Sequence, residues 1–201
     1  MTDYDIFISY RRVDSEGKIS GRDIARLLCK ELKLYGYNTF FDYSELQDDD
    51  FAEKIIPAVR NCKFFILVLT KDALNRCANE GDWVRTEIEQ AIHAGCKIIP
   101  INPDNSFNGW PENLPGSLSP ITTKQISSVD MNSNFEITVK HMIDVRIAKI
   151  LPPRFNVSRI NSDRDMVSFQ VGERTFNMTD QFFNCDVYNA LVRSYGKNSK
   201  S

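Results

Sequence analysis

A chain of 201 residues that is 42% hydrophobic and 26% charged has the length for one full core and a small appendage, without metal or disulfide staples. Its 25 Lys and Arg against 27 Asp and Glu give a formal net charge of -2, which excludes an overall field drawing it to nucleic acid or an anionic membrane. Any anion site must therefore be local. The five cysteines, Cys29, Cys62, Cys77, Cys96 and Cys185, are scattered and form no C-x-x-C pair, the usage expected of reduced thiols in a cytoplasm. MTDYDIFIS enters a strand pattern at once, without the charged and apolar regions of a signal peptide. The longest apolar run, Phe64 to Leu69, is far shorter than the ~20 residues of a membrane helix. A cytoplasmic protein without membrane attachment is expected.

In chain order, Tyr4 to Ser9 has strand length, and Tyr10, Arg11, Arg12, Val13 and Asp14 follow where the strand would end. Adjacent arginines at a strand's carboxyl end can grip a phosphate through bidentate hydrogen bonds, or lie in a solvated loop. Ile24, Leu27, Leu28 and Leu32 recur at helical spacing before Gly36, which predicts an amphipathic helix over 20–35. Asn38 to Asp42 predicts a second strand ending on a carboxylate. Asp48 to Asp50 then precede an apolar periodicity at Phe51, Ile55, Ile56 and Val59. Acids at a helix start are favoured by its dipole and require no cation.

Lys63 to Thr70, KFFILVLT, is apolar at successive positions, as a central parallel strand covered on both faces would be. A loop over 71–81 leads to a helix with Val84, Ile88, Ala91 and Ile92 as its buried stripe, ended by Gly95, and then to a fourth strand, Lys97 to Ile101. Asn102 to Pro120 reads as irregular, Gln125 to Val129 as an edge strand. Phe135 to Ile150 reads as a closing helix with Ile137, Met142, Val145 and Ile150 as its apolar contacts. The alternation predicts an α/β, flavodoxin-like parallel five-stranded sheet with helices on both faces. Ligands gather at the carboxyl ends of such strands, where Arg11, Arg12, Asp42 and Thr70 fall.

Composition changes after Pro152 and Pro153. Short strands at 155–160, 166–171 and 174–178, a tight turn at Gly172-Glu173, and a helix over 179–195 predict a C-terminal β-hairpin and helix extension. The expected division is 1–151 for the α/β domain and 152–201 for the extension.

Trp83 and Glu87 are four residues apart, so on a helix they share a face one turn from each other. An indole beside a carboxylate suits an aromatic ligand carrying a sugar. The plainer alternative is a core tryptophan and a solvated first-turn acid.

Four blocks, DIFISYRR at 5–12, TFFDYSELQDDDF at 39–51, FFILVLTKDALNRC at 64–77 and GDWVRTEIEQAIHAGCKIIPI at 81–101, appear in the order of a TIR domain. Over about 1–151 the chain resembles that family, and within it the NAD-cleaving members. The resemblance implies that Glu87 of the W-x-x-x-E helix is catalytic, and that Trp83, Tyr10, Arg11, Arg12, Asp42, Leu46, Phe51 and Cys77 lie around the substrate, NAD+, with no metal and no cofactor. One departure concerns the loop before Phe51, which carries three acids where the family often has a glycine near Asp49. It bears on the loop's flexibility and on self-association through it.

The activity so implied is NAD+ glycohydrolase or cyclase chemistry. It would give nicotinamide and ADP-ribose, or a cyclic or conjugated ADP-ribose signal, in bacterial anti-phage immunity. Self-association through TIR surfaces and an effector protein answering to the product are the implied partners. Two alternatives share the fold: a non-enzymatic TIR scaffold, against which the Trp83 and Glu87 pair counts, and a nucleoside deoxyribosyltransferase. A phosphorelay receiver is excluded, because Ser9-Tyr10-Arg11 and Thr70 stand where it needs acids. His93 and His141 are isolated, which predicts no metal site.

Overall fold

The computed structural model describes residues 4–13, 20–41, 51–154, 156–159, 166–171 and 174–179. Its apolar runs pair as one sheet of β1 (Ile6–Tyr10), β2 (Thr39–Phe40), β3 (Phe64–Val68), β4 (Lys97–Pro103) and β5 (Ser127–Val129), in the order β2-β1-β3-β4-β5. Every ladder in it is parallel. This is the flavodoxin-like order, in which the chain reverses direction across the sheet between β1 and β3. β1 and β3 are buried at every position, as strands covered on both faces must be.

Alternation along β1 sends Ile6, Ile8 and Tyr10 to a core shared with α1 (Ser20–Leu34) and α5 (Phe135–Met142). It sends Phe7 to the opposite core, under α2 (Phe51–Arg60), α3 (Trp83–His93) and the short α4 (Ser119–Thr122). On that side Phe7 stacks between Phe40 and Phe65, with centroids 5.1 and 5.6 Å away.

Three sequence expectations shift. The closing helix is α-helical only to Met142 and continues as a π-helical turn, Ile143–Ile147. That wider turn keeps Val139, Ile143 and Ile147 in line at four-residue intervals, so these are buried together with Phe135 and Met142. Ile137, Val145 and Ile150, expected in the core, are instead 68%, 46% and 49% exposed. On α1, Leu27 is likewise exposed, while Ala25, Leu28 and Leu32 form the buried face. The segment after β4 is not wholly irregular: a 3₁₀ turn, Gly116–Leu118, runs into α4 and buries Leu118 and Ile121.

The extension contributes β6 (Asn156–Arg159), β7 (Met166–Val171) and β8 (Arg174–Thr179), an antiparallel sheet in the order β6-β7-β8. Phe176 of β8 packs against the α1 and α5 core. The expected turn at 172–173 lies outside the described residues, as does the helix expected over 179–195 except for Thr179, which instead ends β8. Arg154 joins the two parts of the chain. Its amide donates to the Tyr35 carbonyl at 2.9 Å, and its guanidinium grips Asp5 through contacts of 2.6 and 3.1 Å and also donates to the Gly36 carbonyl. Among the described residues no helix is long and apolar enough to cross a membrane.

Gly36 ends α1 at φ +86°, and a Cβ there would lie 2.6 Å from Arg154 Cβ. Both the left-handed backbone and the close approach require glycine. Gly36→Ala is expected to lower the unfolding free energy by about 1–3 kcal/mol in urea titration. An unchanged midpoint would contradict this account of the junction.

Candidate active site

The same alternation that buries Phe7 under α3 places Ser9 on that face, at the carboxyl end of β1. On α3, Val84, Glu87, Ile88 and Ala91 are buried at helical spacing, so Glu87 occupies a place in the apolar stripe. The two side chains meet: Ser9 Oγ donates to Glu87 Oε2 at 2.6 Å. Glu87 is only 3% exposed. A buried carboxylate needs such a donor, because desolvating it without hydrogen bonds is costly.

The start of α3 is set by Asp82, an extended residue whose Oδ1 accepts the Arg85 amide at 3.1 Å. The same carboxylate takes the Arg11 fork, Nη1 to Oδ2 at 2.5 Å and Nη2 to Oδ1 at 2.9 Å. Arg11 Nε donates to the Ala73 carbonyl at 3.0 Å. One buried guanidinium thus clamps the end of β1 to the start of α3 and to the turns before it. α1 also approaches here, since a Cβ on Gly21 would stand 2.1 Å from the Arg11 carbonyl oxygen. Burial opposes both charges of the clamp, yet pairing outweighs it. Hydrogen bonds from Arg11 and from the Arg85 amide hold the Asp82 carboxyl below its ordinary range, and Asp82 raises Arg11 in turn.

Cys77 is buried beside this pair, with Sγ 3.5 Å from Asp82 Oδ1 and 3.7 Å from Arg11 Nη2. Burial, then the Asp82 charge, pushes its thiol up to about 12, so at neutral pH it is a protonated donor. Tyr10 is buried on the opposite face, its ring tilted 5.7 Å from Phe41. Arg12 is exposed. Trp83 opens α3 and is 42% exposed, which sets aside its reading as a core anchor; Glu87, conversely, is not a solvated acid. Asp42 and Leu46 lie outside the described residues, and Phe51 is described only as the first backbone position of α2.

The structure therefore gathers Glu87, Arg11 and Cys77 around the start of α3, with Trp83 at its first turn, and turns Tyr10 to the other face. Ser9 and Asp82 join the group, though the sequence reading assigned them no part in the site. The Asp82 signal was present as an N-cap acid directly before the W-x-x-x-E helix. Ser9 was marked by alternation, as a polar residue in phase with Phe7.

These features define an open α/β protein with an acid at the carboxyl edge of its sheet, next to the point where the strand order reverses. Residues 6–143 match the family model described as TIR domain, so the chain belongs to the TIR domain family. It is 41% identical over 111 residues to the NAD(+) hydrolase sarm1 of Drosophila melanogaster, covering 54% of this chain and 8% of that protein. It is 38% identical over 120 residues to the NAD(+) hydrolase SARM1 of Danio rerio, covering 58% and 16%. It is 37% identical over 100 residues to the NAD(+) hydrolase tir-1 of Caenorhabditis elegans, covering 48% and 10%. The matched stretch is thus a small part of each of these relatives.

The Asp82 carboxyl binds its proton less readily folded than unfolded. Its pairing therefore contributes stability above the unfolded value of about 3.9 and loses it as pH falls through the lower folded value. Asp82→Asn, which leaves Arg11 buried and unpaired, is expected to cost about 3–5 kcal/mol at pH 7. The gap to the parent should narrow below about pH 4. Chemical denaturation across pH 3–7 checks this, and a constant gap would contradict it.

Proposed function

We propose that this TIR domain cleaves the bond between nicotinamide and ribose in NAD+, with Glu87 as the catalytic residue. The observation that carries the proposal is the Glu87 carboxylate, set in the buried stripe of α3 and held by Ser9 at the carboxyl edge of the sheet. The names of the three animal relatives support the same reading, over the part of their length that this chain matches.

The chemistry asks little of the protein. As the C1′–N1 bond breaks, its electron pair neutralises the pyridinium, so nicotinamide leaves uncharged and no general acid is required. The ribose left behind is oxocarbenium-like, and a fixed carboxylate beneath it stabilises that charge and accepts hydrogen bonds from its hydroxyls. Water then attacks C1′ and releases a proton, giving ADP-ribose; attack by the adenine ring or another nucleophile gives a cyclic or conjugated product. Trp83, half exposed one turn from Glu87, forms an aromatic wall for the nicotinamide. The donors of Arg11 are committed to Asp82 and Ala73, which favours bracing over gripping the diphosphate and leaves exposed Arg12 for that contact. Ser9 is a positioning residue, acting through Glu87.

Because Glu87 is nearly covered, the nucleotide must enter by displacing what overlies it. That burial favours a second reading, in which Glu87 is a satisfied core acid and the module only scaffolds. Nicotinamide release from NAD+ by the purified chain, followed by chromatography with mass spectrometry, separates the two.

Glu87→Gln preserves shape without charge and is expected to reduce release by at least about 10²–10³-fold. Glu87→Ala should do the same in a protein that still unfolds cooperatively. Release at the parental rate by either variant would remove Glu87 from the mechanism. Ser9→Ala is expected to lower kcat about 10–100-fold with little change in KM, the loss of one hydrogen bond to a charged group. Partial recovery in Ser9→Thr is the signature of positioning. Trp83→Ala should weaken catalysis at a small stability cost, since the side chain is half exposed. Self-association through TIR surfaces, part of the same proposal, predicts that specific activity rises with protein concentration; a flat profile would count against it.

A further inference from the structure

At the edge of the sheet opposite Ser9, two thiols face each other. Cys62 lies between α2 and β3, and Cys96 between α3 and β4, where those two strands begin. The register sets Phe64 against Lys97, and the Lys97 amide donates to the Lys63 carbonyl at 3.0 Å, which holds the two turns side by side. Cys62 Sγ and Cys96 Sγ are 3.6 Å apart, with Cys62 donating to Cys96. Both are free thiols. The thiols also meet backbone acceptors: Cys62 Sγ donates to the Val59 carbonyl at 3.1 Å, and Cys96 Sγ, while protonated, donates to the Val59 and Cys62 carbonyls, each at 3.3 Å.

We propose that Cys62 and Cys96 are a redox modification site, closing to a reversible intramolecular disulfide on exposure to a peroxide. The two thiols are unequal in a way that orders the steps. Cys96 is partly exposed and Cys62 is buried, so peroxide meets Cys96 first. The hydrogen bond from Cys62 favours the Cys96 thiolate, lowering that thiol and raising its partner, which burial raises further. The Cys96 thiolate attacks one peroxide oxygen; the S–O bond forms, the O–O bond breaks, and hydroxide leaves to become water. The Cys62 thiol gives its proton to solvent and attacks the Cys96 sulfenic sulfur; the S–S bond forms, the S–O bond breaks, and a second water results. Each sulfur gives up one electron and the peroxide takes two.

Reaching a bond length of about 2.05 Å requires the sulfurs to close by about 1.5 Å from their 3.6 Å separation. The bond would join residues 34 apart and tie the start of β3 to the helix that carries Glu87. It uses no residue of the proposed NAD+ site, so it stands or falls separately from that function.

The test is brief treatment of the full chain with hydrogen peroxide, alkylation of remaining thiols, and non-reducing peptide mass spectrometry. A peptide joining Cys62 to Cys96, with intact mass reduced by two hydrogens and two of the five thiols lost on denatured titration, is the expected result. Dithiothreitol should reverse it, Cys29→Ser should leave it intact, and Cys96→Ser should abolish it. In Cys62→Ser, Cys96 should stop at a sulfenic acid that dimedone captures. Sulfinic acid at Cys96 with Cys62 still free, a link between any other pair, or no thiol loss at all would overturn the proposal.

Discussion

The Arg11–Asp82 pair is the interaction on which the rest of this domain's site depends. A strand end and a helix start have no backbone hydrogen bonds to each other, so their spacing is set by side chains. Here a two-pronged guanidinium–carboxylate contact, both partners buried, fixes it. Asp82 is at the same time the N-cap of α3, and so one carboxylate decides both where the helix begins and where it sits against β1. With that spacing fixed, the second turn of α3 comes level with Ser9, and the short Ser9–Glu87 hydrogen bond follows. Buried ion pairs add little net stability over an apolar replacement, but they are geometrically exacting. That exactness is what a site built from two separate elements needs.

Much of the architecture could be read from residue order. Phe64 to Leu69, FFILVL, is uninterrupted by polar residues because β3 is covered on both faces, and its place at the sheet centre follows. The helices over 20–35 and from Trp83 announced themselves by apolar spacing and by glycines at their ends, Gly36 and Gly95, which do adopt positive φ. In the closing helix, Ile137 falls before the π turn and sits two residues from both buried Phe135 and Val139, which puts it on the outer face at ordinary helical spacing; Val145 lies within the π turn that follows Met142, where a 3.6-residue period no longer applies. Nothing in FEITVKHMIDVRI marks that widening, which brings Ile143 and Ile147 into the core shared with α1 and the sheet.

The site was legible in part, and for a related reason. Glu87 and Trp83 stand out as residue types, but their burial does not: the acid lies inside and the indole half outside, the reverse of what hydropathy alone would assign. Arg11 and Arg12 look equivalent in sequence. They separate only when β1 alternation and the position of Asp82 are known, one turning inward to a buried pair and the other outward. Hydrogen bonds across 71 and 78 positions of sequence have no local signature.

Under the proposed function, a single covered acid must reach the sugar of a dinucleotide once the nucleotide is seated. A crystal structure of E87Q with NAD+ bound reads this most directly. The expected result is the nicotinamide-side ribose within hydrogen-bond distance of the position 87 side chain, with the nicotinamide ring against Trp83. A dinucleotide seated elsewhere on the domain, with the side chain at 87 still enclosed against Ser9, would contradict it.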